Sequence, residues 1–450
     1  MSEKKLTKEE LLAKSKKPSE DALKLHPFYK GKIQITSKCV VRDLSDFGIW
    51  YSPGVAASCL AIKDKKELSF EHTNRANTVC VISDCTRVLG LGDIGPEAGM
   101  PVMEGKCLLF KYLGGIDAIP LCLGTKNAED FIKIVKVLQP SFGGFNLEDI
   151  QTPKCFHILD YLRHSPDVEV PIWHDDQQGT ASVTLAGVIN ALKIVGKKRS
   201  DVKILFFGVG ASNVAISRVL FAAGFDNKKS LFVDSKGIIS TERKDLKNSV
   251  PYKWDIALKS NAEQRTGDAE AAFKGVDVAI CLSRPGPNVV KKEWIGLMND
   301  DPIVFACANP IPEIYPWDAK EAGARIVGTG RSDFANQVNN SMGFPAIFRG
   351  VLDVRARTIS DQMVIAAAES LAKTAEEKGI HEEYVIPTMV ERDAFINEAV
   401  DVALEAIKEG VARLKLSKDE ISYLAETKIN HAQDQIKLLM KYGNIPHPTV

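Results

Sequence analysis

The chain has 450 residues, 45% of them hydrophobic and 26% charged, with 58 basic against 58 acidic side chains. That composition belongs to a globular protein of two or three domains; zero net charge leaves no electrostatic footprint for nucleic acid, and no apolar run approaches the roughly 18 residues of a membrane span. Nine cysteines without paired spacing and a Lys/Glu-rich N-terminus without an apolar centre suit a reducing compartment and no secretory signal, so a cytoplasmic location is expected.

In chain order, residues 1 to about 30 are charged and read as a helical tail or arm. A short apolar strand, Ile33 to Ile35, is expected next, then a turn at Pro53-Gly54 and a helix from Val55 to Ile62. Thr78 to Ile82 reads as a strand. The glycines Gly90, Gly92 and Gly95 follow it closely, which implies special dihedrals or a close approach. A helix from Met100 to Leu113, a strand from Ile116 to Leu123 and a helix from Ala128 to Leu138 continue the alternation. Phe142 to Asn146 reads as a loop before the acidic pair Glu148-Asp149. The β-like run Val168 to Trp173 ends in a second pair, Asp175-Asp176, and the apolar helix Ala181 to Val195 follows. Strands at Val202 to Phe207, Ser230 to Val233, Val276 to Leu282 and Pro302 to Ala308 give the rhythm of a doubly wound sheet. From Ser360 onward the pattern is helical. The expected fold is α/β: an N-terminal α/β domain (1–165), a Rossmann-type nucleotide domain (166–345), and a helical C-terminal segment (346–450) that packs back.

The strand ending at Phe207 runs into Gly208-Val209-Gly210-Ala211-Ser212-Asn213 and then a helix. The first glycine permits the tight turn, and the second lets backbone approach a pyrophosphate at a helix N-terminus. Asn213 stands where Gly or Ala is usual, which weakens the motif. Asp234 ends the next strand, 24 residues after Gly210, near the distance expected of a ribose ligand. Asp234 alone suggests NAD. Ser235, Lys236 and Lys253 could instead hold a 2′-phosphate, although an ordinary solvated loop lysine is a common alternative.

The acidic pairs 148–149 and 175–176 offer oxygen donors with no nearby cysteine, a set that suits Mg²⁺ or Mn²⁺. Taken singly, each acid could equally cap a helix. Lys106 lies in an otherwise apolar stretch, where burial would depress its pKa; a move from about 10.4 to about 7.5 corresponds to roughly 4 kcal/mol and makes a base. Tyr51, before the Pro-Gly turn, is a candidate acid. Asn309, Asn339 and Asn340 carry amides that could bind carboxylates, or simply serve turns.

Seven segments together resemble the malic enzymes, in particular their short bacterial-type form. They are Tyr51 to Ala56, Leu89 to Pro96, Pro101 to Lys106, Phe142 to Ile150, His174 to Ala181, Asn309-Pro310 and Asn336 to Asn340. The resemblance runs from about residue 20 to about 415. It implies Lys106 as general base, Tyr51 as general acid and Asp175 as the acid that orients the lysine. It implies Glu148, Asp149 and Asp176 as Mg²⁺/Mn²⁺ ligands, Arg87, Asn309, Asn339 and Asn340 at the substrate, and Asn309 also beside the cofactor. The stretch Asp234 to Gly237 resembles that of NADP-using members. The implied reaction is L-malate plus NADP⁺ (or NAD⁺) to pyruvate, CO₂ and the reduced cofactor.

Two other activities use the same residues differently. A malolactic-type enzyme would retain the nicotinamide and release lactate, and a metal-dependent lyase or hydrolase would turn over without it. A silent binding protein is disfavoured because no matched catalytic position is substituted. Apolar helical surface beyond what an α/β core needs, together with the resemblance, points to a homodimer.

Overall fold

The computed structural model describes residues 8–448. Strands β1 (Thr78–Ser83), β2 (Asp117–Cys122), β3 (Gly144–Leu147) and β4 (Ile172–His174) form an all-parallel sheet in the order β2-β1-β3-β4. Strands β5 (Ile204–Phe207), β6 (Leu231–Asp234), β7 (Gly237–Ile238), β8 (Val278–Cys281), β9 (Ile303–Ala306) and β10 (Ile326–Thr329) form the second sheet. Its order is β10-β9-β8-β5-β6-β7, parallel except for the short edge strand β7. From β5 the chain winds one way through β6 and β7, and from β8 the other way through β9 and β10. The reversal leaves a crevice outside the carboxyl ends of β5 and β8, where a doubly wound sheet takes its ligand.

The helix Thr180–Ile194 joins the sheets and is buried at every position from Ala181 to Leu192. It is apolar all round because it is covered all round: one continuous core contains Val79 and Val81 of the first sheet, this helix, and Phe206 and Ile280 of the second. The outer face of each sheet has its own apolar cluster. The C-terminal helices Phe344–Asp353 and Lys418–Lys441 pack on the helix Pro96–Gly114, and Asp361–Glu377 packs on Thr180–Ile194. The α/β class and the returning helical segment are therefore as expected.

Three local expectations differ from the structure. Residues 142–146 are not simply a loop: Gly144 begins β3, a buried interior strand. Its glycines serve packing, since a Cβ on Gly143 would lie 2.6 Å from the Arg75 carbonyl oxygen and one on Gly144 3.0 Å from a Phe348 ring carbon. Ile33 to Ile35 is not a strand; it pairs with no neighbour, and Ile35 is 96% exposed. Finally, β4 pairs with β3, so the first sheet extends past residue 165 and the strand carrying the second acidic pair belongs to it.

Candidate active site

Lys106 sits on the inner face of the helix Pro96–Gly114. The entry of that helix is set by Gly95 (φ 81°) and by Pro96 in its first turn. Gly99 lets the helix lie against Cys85, where a Cβ would come within 2.3 Å of the sulfur. The Lys106 ammonium is buried; it donates to Asp175 Oδ2, lies 3.2 Å from Glu148 Oε1 and 3.5 Å from Asn340 Oδ1, and stands 4.5 Å over the Phe344 ring. Asp175 ends β4 in a wide turn of π-helix, Asp175–Gly179, a feature often found at functional sites. Gly179 is required there, because a Cβ would fall 2.0 Å from Asp175 Oδ1. Trp173 Nε1 donates to that same oxygen at 3.1 Å, so both oxygens of Asp175 are fixed.

The depressed lysine pKa expected from burial is not what the protein alone produces. Burial does work to lower it, but the carboxylates of Asp175 and Glu148 outweigh burial and hold Lys106 above the usual lysine range. The apolar sequence around Lys106 shows the burial and hides the acids, which arrive from β3 and β4.

Glu148, Asp149 and Asp176 each offer a carboxylate oxygen, and these oxygens lie within 4.8 Å of one another. Burial, together with the Asp176 charge, pushes the carboxyls of Glu148 and Asp149 well above the usual range. Asp149 is held at φ 53° and places Oδ2 in the interior with no hydrogen-bond donor among the described residues. A buried acceptor without a donor is costly, and three crowded carboxylates repel. Both features suit a hard divalent cation on an all-oxygen donor set. Such a cation would also offset the carboxylate charge that raises Lys106.

This cluster opens into a cleft of about 1340 Å³ that continues to the second sheet. Its walls include Lys106, Glu148, Asp149 and Asp176, with Asn340 beside Lys106, then Asn309, and from the second sheet Gly208 to Ser212 with Asp234 to Lys236. Gly208 has φ 99°, and a Cβ on it would meet the Leu282 carbonyl at 2.4 Å. A Cβ on Gly210 would instead point into open space, a cradle that leaves backbone accessible to a phosphate. Gly92 and Gly95 have positive φ, whereas Gly90 permits a protein contact, with its Cβ position 2.8 Å from the Asn309 carbonyl.

Arg87 and Lys253 also line the cleft. Asp234 accepts from Lys253 (2.8 Å) and Arg243 (3.1 Å); burial alone would raise its carboxyl, and these hydrogen bonds more than offset that, holding it below the usual range. Arg243, Phe344 and Trp173 were not legible as site residues. Arg243 lies in a charged loop, and the two aromatics read as core.

Three of the expected site residues have surroundings unlike those of the rest. Asn213 does not face the cleft: it is buried behind the fingerprint and donates to the carbonyls of Gly208 (2.8 Å) and Phe207 (3.2 Å), which explains an amide where Gly or Ala is usual. Asn339 reaches the wall, but its amide is engaged at both ends, donating to the Gly330 carbonyl and accepting from Ser341 N. Tyr51 is 72% exposed and outside the cleft of its own chain.

The description "Malic enzyme, N-terminal domain" matches residues 30–130, and "Malic enzyme, NAD binding domain" matches residues 177–409. A bifunctional malic/malolactic enzyme of Bacillus subtilis is 44% identical, over 90% of this chain and 96% of its own. The chain belongs to the malic enzyme family. A solved Entamoeba histolytica malic enzyme superimposes with a TM-score of 0.95 at 48% identity, covering 99% of this chain and 93% of that one. An NAD-dependent malic enzyme of Geobacillus stearothermophilus is 45% identical over 85% of this chain and 78% of its own, and other relatives are named NADP-dependent. Family membership supports a nicotinamide cofactor and oxidative decarboxylation of malate. Glu148, Asp149, Asp175 and Asp176 fall between the two matched stretches, so their geometry is independent of those matches.

Proposed function

We propose that the chain oxidises and decarboxylates L-malate to pyruvate and CO₂, with NADP⁺ as preferred acceptor and Mg²⁺ or Mn²⁺ on Glu148, Asp149 and Asp176. The observation that carries this reading is the single cleft that joins a buried Lys-Asp pair and a three-carboxylate cluster to a dinucleotide fingerprint.

When bound, the nicotinamide would accept the C2 hydride and the divalent cation would polarise the C2 oxygen, stabilising charge that develops as CO₂ leaves. Lys106, once the carboxylate charge that holds its proton is offset, takes the C2 hydroxyl proton at Nζ. Asp175, itself fixed by Trp173, sets where Nζ points, and Phe344 closes the apolar side. Asn309, Asn340 and Arg87 orient the carboxylates of malate from the cleft wall. Asn339 shapes the turn that carries Asn340.

The C3 proton needs an acid, and Tyr51 is the candidate. Around it, Leu44, Phe47, Ile49 and Trp50 are all exposed, as are Leu438 and Tyr442 near the C-terminus. We assign this apolar surface to a homodimer in which the arm around Tyr51 closes on a second copy. A monomeric mass by light scattering at micromolar concentration contradicts it.

The NADP preference rests on Lys236, Arg243 and Lys253 around the end of β6, three cations against Asp234 and Asp245. Lys253→Ala is expected to lower kcat/KM for NADP⁺ about 10- to 100-fold relative to NAD⁺, from the ~1.5–3 kcal/mol of a hydrogen bond to a charged group. Steady-state kinetics with both cofactors checks this, and an unchanged ratio removes the 2′-phosphate role. The malolactic reading stands second, favoured by the name of the Bacillus subtilis relative. It predicts lactate without net reduction of the nicotinamide.

A further inference from the structure

Glu313 is a fully buried carboxylate that the chemistry above does not use. It follows Asn309-Pro310-Ile311-Pro312, in the segment leaving β9. Its Oε1 accepts from Ser283 N at 2.8 Å and from Ser283 Oγ at 3.4 Å, and its Oε2 accepts from Ala308 N at 3.0 Å. Ser283 is in the loop that leaves β8, and Ala308 in the loop that leaves β9. Both loops lie at the carboxyl edge of the second sheet, beside the crevice where its winding reverses. Leu282 to Pro285 and Ala308-Asn309 are wall residues of the cleft, whereas Glu313 is behind them. Its own backbone is braced as well, because its carbonyl accepts from Val290 N at 3.0 Å and Asn288 bridges Ile314.

We infer that Glu313 is a positioning residue, holding with one oxygen each the two loops that present Asn309 and the nicotinamide-side wall to malate and the dinucleotide. The argument is one of satisfied donors. The amides of Ser283 and Ala308 need acceptors, and neither finds a backbone one among the described residues. Every hydrogen bond to the carboxylate among the described residues comes from these two loops. Burial pushes its carboxyl up to about 7 against the pull of those amides, so the fold bears a cost that an apolar filler would not carry. A bidentate acceptor serves both amides at once, beside the backbone contact from Gly286 N to the Ile311 carbonyl at 3.3 Å. The loops also reach the first domain, where Gly90, another wall residue, packs against Pro285 and Asn309, so their position bears on the first domain's side of the cleft.

The inference rests on the reading of the cleft as a malate and dinucleotide site, and the experiment separates the two. Glu313→Gln keeps the size and one acceptor but sets an NH₂ group against the other loop's N–H. The variant is expected to show about tenfold weaker dinucleotide binding and a similarly raised KM for malate. kcat should change by less than about threefold, as befits a residue that does not touch the reacting atoms. Hydrogen exchange should accelerate in the peptides carrying Ser283 and Ala308 and stay unchanged in β5 and β6. A variant with lowered Tm but native dinucleotide Kd and KM would overturn the inference and leave Glu313 a purely structural group. A wild-type protein that binds no dinucleotide would overturn the reading of the cleft and this inference with it. If the glutamine variant does not fold, Glu313→Asp carries the same expectation, because its shorter side chain can hold one loop only.

Discussion

Lys106→Ala is expected to lower kcat by about 10²–10⁴-fold, the range that a positioned general base contributes. Dinucleotide affinity should be retained, because the polar contacts of Lys106 go to Asp175, Glu148 and Asn340 and none to the Gly208–Ser212 fingerprint. The variant should also lose stability, by about 3–5 kcal/mol, because Asp175 and Glu148 are then left buried without the ammonium between them. Kinetics, a dinucleotide titration and a melting curve on one preparation separate these effects. A folded variant whose kcat stays within tenfold of the native enzyme would remove Lys106 from the chemistry. Nothing in the local sequence foretells the stability loss. It follows from the two acids that β3 and β4 bring to the lysine.

Asp149→Asn is the second large effect. The substitution leaves an acceptor where the interior Oδ2 stands, or turns a donor toward the cluster, and removes one of three charged oxygen donors. If the cation supplies several kcal/mol of charge stabilisation, then losing about 4 kcal/mol of it lowers kcat/KM by roughly 10³-fold. A binding readout independent of activity accompanies this. Mn²⁺ should raise the Tm of the native protein, since a ligand that binds only the folded state stabilises it, and it should scarcely move that of the variant. The metal-free variant should be at least as stable as the native protein, because crowding among Glu148, Asp149 and Asp176 is relieved. An equal Mn²⁺ shift in both proteins would contradict the proposed ligand set.

How much of this was legible beforehand depended on whether a signal was local. The helix 128–138 is legible to the residue, and β5, β6, β8 and β9 of the second sheet to within about two residues, because each is a periodic or apolar run between turn residues; the edge strands β7 and β10 were not expected. Strand β3 was missed because its glycines look like turn chemistry, while their real role is contact with Arg75, Phe348 and Pro171, which are distant in sequence. The two acidic pairs were legible as pairs. That Asp175 would turn to the lysine while Asp176 joined Glu148 and Asp149 followed only from the family resemblance, since it depends on the π-helical turn that begins at Asp175, which the residues alone do not show. Asn213 looked like a defect in the fingerprint. Buried behind it, the amide ties the carbonyls at the end of β5 to that of Ile280 in β8. Tyr51 carried a family signature and no structural one, and within one chain it remains at the surface.

The central claim is that the nicotinamide leaves each turnover reduced. The most direct test incubates the purified protein with L-malate, Mn²⁺ and NADP⁺, with NAD⁺ in parallel, and follows absorbance at 340 nm while pyruvate and lactate are quantified in the same reaction. The account predicts one reduced nicotinamide per pyruvate, faster with NADP⁺, abolished by chelation of the metal, and no lactate. Malate consumed to lactate with no rise at 340 nm would contradict it.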